Sequence, residues 1–190
     1  MKVDLRPAPW SSVAPTEELE ESISILGDGT WAAAAEDFYA DRAAKLALGK
    51  RAPKGIQPSL NRTLTRRFEE AGWEAYDGRF TKRSTWVRVT FRHQMSIGSD
   101  IIDAIRAHHR AGMELVAIMA ASRSFLQLIS PNDAGVLTSY EKLRAEVDSL
   151  DGCLDIPLLV GRLEPASPLR EDVARAVAAE RKRDVTRPSG

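Results

Sequence analysis

Between Arg79 and Arg92 the chain reads R-F-T-K-R-S-T-W-V-R-V-T-F-R, with five cationic side chains and no carboxylate. A guanidinium stays protonated throughout the physiological range and offers a planar fork of donors. Such a stretch can hold oxyanions and cannot relay protons. Its second half alternates strictly. Val87, Val89 and Phe91 fall on one face, and Trp86, Arg88, Thr90 and Arg92 on the other, the period of a strand with one face on the core. The expectation is that Arg88 and Arg92 stand on the outward face, toward whatever the protein works on. From Gly78 to Ser99 there is no Asp or Glu, so this strand lacks the carboxylate oxygens that a divalent ion favours.

Other reactive residue types are sparse. His108 and His109 close a helical stretch, where an imidazolium suits the helix dipole, and no third ligand stands at metal-binding spacing. The single cysteine, Cys153, excludes an internal disulfide framework and a multi-cysteine zinc site. Ahead of Ile156 it reads as a core thiol rather than a nucleophile. The basic loop from Gly49 to Gly55 does not match the G-x-x-x-x-G-K-[ST] phosphate cradle.

Net charge is zero over 190 residues, but its distribution is uneven. From Arg42 to Arg92 there are 13 lysines and arginines against four acids (Glu69, Glu70, Glu74, Asp77), so a basic middle of +9 lies between acidic ends. Such asymmetry suits a phosphate-binding face, and equally suits solvated helix surfaces.

The elements that position these residues follow from caps and apolar periods. Residues 1–15, with Pro7, Pro9 and Pro15, read as an extended lead-in anchored by Trp10. Thr16 caps a helix carrying Leu19, Ile23 and Leu26, and Thr30 caps a second that ends at Gly49. Ser59 caps a third, with Leu60, Leu64 and Phe68 on one face, Asn61, Arg62, Arg66 and Arg67 on the others, and Gly72 at its end. After the cationic strand, Ser96 or Ser99 caps a helix running from Asp100 to Ala111 that buries Ile101, Ile102 and Ile105. Leu115 to Met119 is apolar throughout, a strand buried on both faces. A further helix carries Tyr140, Leu143 and Val147, and Pro157 sets the strand Ile156 to Val160 near an edge. This order predicts an α/β fold, a central mixed sheet flanked by helices behind a helical N-terminal third. The expected organisation is one domain over 1–167 and a helical tail over 168–190. No apolar run spans a bilayer and no signal peptide is visible, so the reading is a cytoplasmic protein without membrane contact.

Four blocks carry a family resemblance. They are Pro58-Ser59-Leu60-Asn61 through Leu64 to Gly72-Trp73; Phe80 to Arg83 with Val87-Arg88-Val89-Thr90-Phe91; Met113 to Met119; and Ile156 to Pro165. In this order and spacing, Gln57 to Pro165 resembles the BglII/BstYI type of restriction endonuclease in the PD-(D/E)XK superfamily. The resemblance implies a restriction-endonuclease-like fold, a DNA-facing surface and a homodimer. The family's second block has the form V-E-V-Q-F, with an aspartate nine residues before the glutamate. Carried over, the glutamate falls on Arg88, the glutamine on Thr90 and the aspartate on Arg79, and all three are changed.

What the resemblance implies is therefore a catalytically degenerate protein that binds DNA or a nucleoprotein partner, alone, as a dimer, or as a subunit of a defence or nucleic-acid-processing assembly. Whether it is an enzyme is left open, leaning against. No metal or cofactor is expected. Phosphate contacts would come from Lys50, Arg51, Lys54, Arg62, Arg66, Arg79, Lys82, Arg83, Arg88 and Arg92. A second reading moves the metal site to Asp77 with Asp100 or Asp103, His93 serving as base, and makes a Mg²⁺-dependent endonuclease. A third is a protein-interaction scaffold.

Overall fold

The computed structural model describes residues 1–165; the expected tail and the last two residues of the expected domain lie outside the described residues. The chain enters at strand β1 (Lys2–Pro7), passes through helices α1 (Glu17–Ile25), α2 (Asp28–Ala47) and α3 (Gln57–Glu70), and then forms strands β2 (Glu74–Tyr76), β3 (Arg79–Lys82) and β4 (Thr85–Thr90). Helix α4 (Ile97–Ala111), strand β5 (Leu115–Ala121), helices α5 (Arg123–Ile129) and α6 (Tyr140–Ser149), and strand β6 (Leu158–Glu164) follow.

The six strands lie in the order β1-β6-β5-β4-β3-β2, with β4, β5 and β6 parallel and the remaining neighbours antiparallel. This is the mixed, helix-flanked sheet that the sequence predicts. Two apolar layers enclose it. On one face Phe80, Val87, Val89 and Met119 meet Trp31 and Phe38 of α2, Leu64 and Phe68 of α3, and Phe125 of α5. On the other, Trp86, Val116, Ile118 and Val160 meet Ile101 and Ala104 of α4 and Leu143 and Val147 of α6. β5 packs on both, which is why all seven of its residues are buried and why it carries no polar side chain.

Several local expectations change. The N-terminal lead-in contains β1, whose Val3 and Leu5 pack on the core while it pairs with β6. That pairing makes β6 an inner strand; Pro157 stands just before it, where no ladder bond is lost. Helix α2 is capped by Gly27 rather than Thr30, and α3 begins at Gln57 with Pro58 in its first turn and Ser59 already buried inside it. Helix α4 starts three residues early, so its core row is Ile97, Ile101 and Ala104, and Ile102 is exposed. α5, capped by the Ser122 hydroxyl accepting from Phe125 N–H at 3.1 Å, was not foreseen. Cys153 is exposed, because it lies on the turn after α6 rather than in the core.

Candidate functional site

The side of β4 that carries Trp86, Arg88 and Thr90 is covered by α4, so the outward face expected there is an interior one. All six residues of β4 are buried, and Arg88 is 1% exposed. Its guanidinium is held from two directions. Nε lies 3.1 Å from Asp100 Oδ1 in the first turn of α4, an ionic contact whose N–H is not aimed at the oxygen. Nη1 donates to the main-chain oxygen of Asp77, and Nη2 is 3.9 Å from the Asp77 carboxylate. Burial pushes the Arg88 guanidinium below its ordinary pKa, opposed by the attraction of Asp100. Asp100 is itself fully buried and shares Oδ1 with Arg92 Nη1 at 3.3 Å. Arg79 stands directly opposite Arg88 across the β3–β4 ladder, and its charge is met by Asp103 at 3.6 Å. Like charges facing one another on neighbouring strands repel, so both aspartates of α4 are required by the arginines they face.

The geometry that delivers Arg88 to this position is the β2–β3 hairpin. Asp77 and Gly78 have φ of 48° and 73°, the left-handed pair of a tight two-residue turn. A Cβ on Gly78 would come 2.7 Å from Val89 O, so glycine is what lets the turn close over the end of β4.

The ten cations proposed from sequence divide into groups. Arg88 is an interior ion-pair partner and not a surface phosphate ligand, because α4 covers its strand face. Lys82 is also engaged: its ammonium donates to Glu21 Oε1 and Oε2 at 3.0 and 2.8 Å and to Ala71 O at 2.8 Å, which accounts for all three of its donors. The same Glu21 accepts from Trp73 Nε1 at 2.8 Å, so this cluster ties α1 to the end of α3 and to β3. Arg83 sits at the opposite end of the hairpin from Asp77 and pairs with Glu18 at 2.8 Å. Lys50, Arg51 and Lys54 are exposed on the loop before α3. Arg62 and Arg66 are exposed on α3 without an ion pair among the described residues, Arg62 donating to Ser59 Oγ at 3.1 Å.

Arg62, Arg66, Arg88 and Arg92 are brought together by a cleft of about 440 Å³ between α3, the Asp77–Gly78 turn and the end of β4. Its walls are apolar where Leu64, Phe80 and Phe91 reach it. Gln57 and Thr65, which were not singled out in the sequence, also line it. With Asn61 they recur every four residues, and that spacing along α3 was the available signal.

The reading that moves a metal site to Asp77 with Asp100 or Asp103 calls for a divalent ion, and the residues here do not fit one. Mg²⁺ or Ca²⁺ takes about six or more oxygens at roughly 2.0–2.6 Å. Asp77 and Asp100 instead flank the Arg88 guanidinium, and Asp103 is taken up by Arg79 and by Arg106 at 3.5 Å. Among the described residues no group of three or more His, Cys, Asp or Glu side chains is placed to hold a metal ion. His93 is not a base aimed at this site; its Nδ1 accepts from Met95 N–H at 3.3 Å on an exposed turn. Thr90, at the glutamine position of the resemblance, is buried against the neighbouring main chain. The migrated metal site is therefore not assembled.

No family model matches the chain, and no curated protein matches it. Among solved structures it is similar to restriction endonuclease BglII complexed with a DNA 16-mer, at TM-score 0.51 and 16% identity, over 88% of this chain and 80% of that one. The fold is restriction-endonuclease-like. At this identity the likeness is one of architecture, and the residues of the site must be judged from their own geometry. No helix among the described residues is long and apolar enough to cross a membrane.

Proposed function

We propose that the protein binds DNA through the phosphate backbone, on the face that opens into the α3 cleft, and does not cleave it. The observation that carries this reading is the Arg88 guanidinium lying between Asp77 and Asp100. A fixed organic cation satisfies acids that would otherwise need a metal, and it can neither bind nor activate a water as a metal does. Arg62, Arg66 and Arg92 supply exposed positive charge beside it, with Lys50, Arg51 and Lys54 on the preceding loop. The neighbour BglII, captured with DNA, gives the architectural precedent. Contacts of this kind fix affinity and orientation and carry no sequence information.

Fluorescence anisotropy with unrelated short duplexes over a salt series tests the proposal. Binding should weaken steeply with salt and about equally for all sequences, and each of Arg62→Ala and Arg66→Ala should reduce the log–log slope by about 0.9. Mg²⁺ and Mn²⁺ should yield no cleavage product. Salt-insensitive binding, or metal-dependent nicking, would overturn the proposal.

A further inference from the structure

We infer that the α3 cleft holds one unpaired nucleotide, with its phosphate on Arg62, Arg66 and Arg92 and its base against the floor and the polar row of α3. The inference rests on the nucleic-acid reading above and names the unit that this site takes. Volume is the first reason. About 440 Å³ lies toward the small end of ligand pockets, roughly 300–1,000 Å³, which suits one nucleotide and excludes a length of duplex.

The lining is the second. Helix α3 offers two adjacent rows: Gln57, Asn61, Thr65 and Glu69 at four-residue intervals, and Arg62 with Arg66 beside them. The uncharged members suit the edge of a base. Gln57 Nε2 donates to Phe91 O at 3.1 Å, which fixes the amide and leaves its oxygen as an acceptor. Asn61 has both its donor and its acceptor free of hydrogen bonds among the described residues, the pair that reads a base edge. Phe80 and Phe91 add an apolar floor for a base.

Charge is the third reason. Arg88 is already matched by Asp100 and Asp77, whereas Arg62 and Arg66 have no ion pair among the described residues and Arg92 only shares Asp100. The Asp77 carboxylate already lies 3.9 Å from Arg88, and Glu69 at the far end of its row disfavours a second phosphate there while accepting from an exocyclic amine. The result is a site for one phosphate and one base.

The test uses 2-aminopurine in three contexts: paired in a duplex, opposite an abasic site in the same duplex, and as free 2-aminopurine deoxyribonucleotide monophosphate. Wild type should bind the abasic-site duplex roughly tenfold or more tightly than the paired one, because the unpairing cost is absent. The fluorescence of the unpaired base should change on binding, and the free monophosphate should compete. Asn61→Trp, at an exposed helix position, should fill the cleft and abolish both the preference for the abasic-site duplex and the competition by the free monophosphate. Equal affinity for the two duplexes with no fluorescence change overturns the inference while backbone binding stands. Loss of all duplex binding at low salt overturns the proposed function, and the free monophosphate then decides whether the cleft is a nucleotide site. If the preference survives Asn61→Trp, the unpaired base is held elsewhere and the inference fails.

Discussion

Replacing Arg88 by Met tests whether the guanidinium is a structural ion rather than a DNA ligand. The substitution keeps most of the side chain's apolar bulk and removes the charge, leaving Asp100 buried with only the half-exposed Arg92 at 3.3 Å. Breaking a buried pair from one side strands the other charge, at about 3–5 kcal/mol. For a chain of this length each kcal/mol lowers Tm by about 2–4 °C, so the expected loss is roughly 6–20 °C. Since a domain holds only about 5–15 kcal/mol in total, urea titration at 25 °C is the safer assay. Asp100→Leu alone should cost a similar amount, because Arg88 then keeps only Asp77. The double variant should return to within about 1 kcal/mol of wild type, since an apolar pair of similar volume often replaces a buried ion pair without loss. The coupling in this cycle should therefore be at least about 5 kcal/mol. In DNA binding the double variant should keep the wild-type salt slope, which a phosphate ligand would not. A cost below about 1 kcal/mol for Arg88→Met, or a double variant equal to the sum of the singles, would refute the reasoning.

Two further outcomes follow from the site's supports. The Lys82 hydrogen bond holds the Glu21 carboxyl below the ordinary glutamate value, against the opposing effect of desolvation. A carboxyl with a depressed folded pKa contributes stability that is present above its unfolded pKa near 4.5 and lost as pH falls through the lower folded value. Wild type should therefore lose more stability than Glu21→Gln on acidification below that pH, by a fraction of about 1 kcal/mol because Glu21 is partly solvated; parallel urea midpoints across the acid range would count against it. Gly78→Ala, with φ +73° and a Cβ 2.7 Å from Val89 O, should cost more than about 1 kcal/mol, whereas Gly72→Ala, which meets no neighbour, should cost only its backbone strain; thermal melts of the two compare them.

Much of the fold was legible because it depends on local pattern. The apolar run of β5, the alternation of β4 and the Leu60, Leu64, Phe68 row of α3 each report burial through neighbours in sequence. The site was only half legible. Alternation tells which residues share a strand face and says nothing about whether a helix covers that face, so Arg88 was placed outward. The corrective signal lay on α4. Asp100 falls between Ile97 and Ile101, Ala104 on an otherwise apolar stripe, and an acid in such a stripe calls for a buried cation. β1 and α5 were missed for a different reason: both are short, and tertiary packing of a few residues (Val3 and Leu5; Phe125, Leu126 and Ile129) outweighs weak local propensity.

The arginines and the aspartates of this site form one unit. Arg79 and Arg88 face each other across a ladder, and Asp100 and Asp103, three residues apart on one side of α4, meet them one to one. Neither row is tolerable without the other: two guanidiniums would repel across the strands, and two carboxylates would be left beside a core layer. Acids introduced at 79 and 88 would face the acids of α4, and crowded carboxylates repel one another until a proton or a cation relieves them. A likeness of fold to a restriction endonuclease can therefore coexist with a site in which the acids of α4 are already met by arginines. The side chains on this buried face, and not the sheet order, decide what chemistry the site can do.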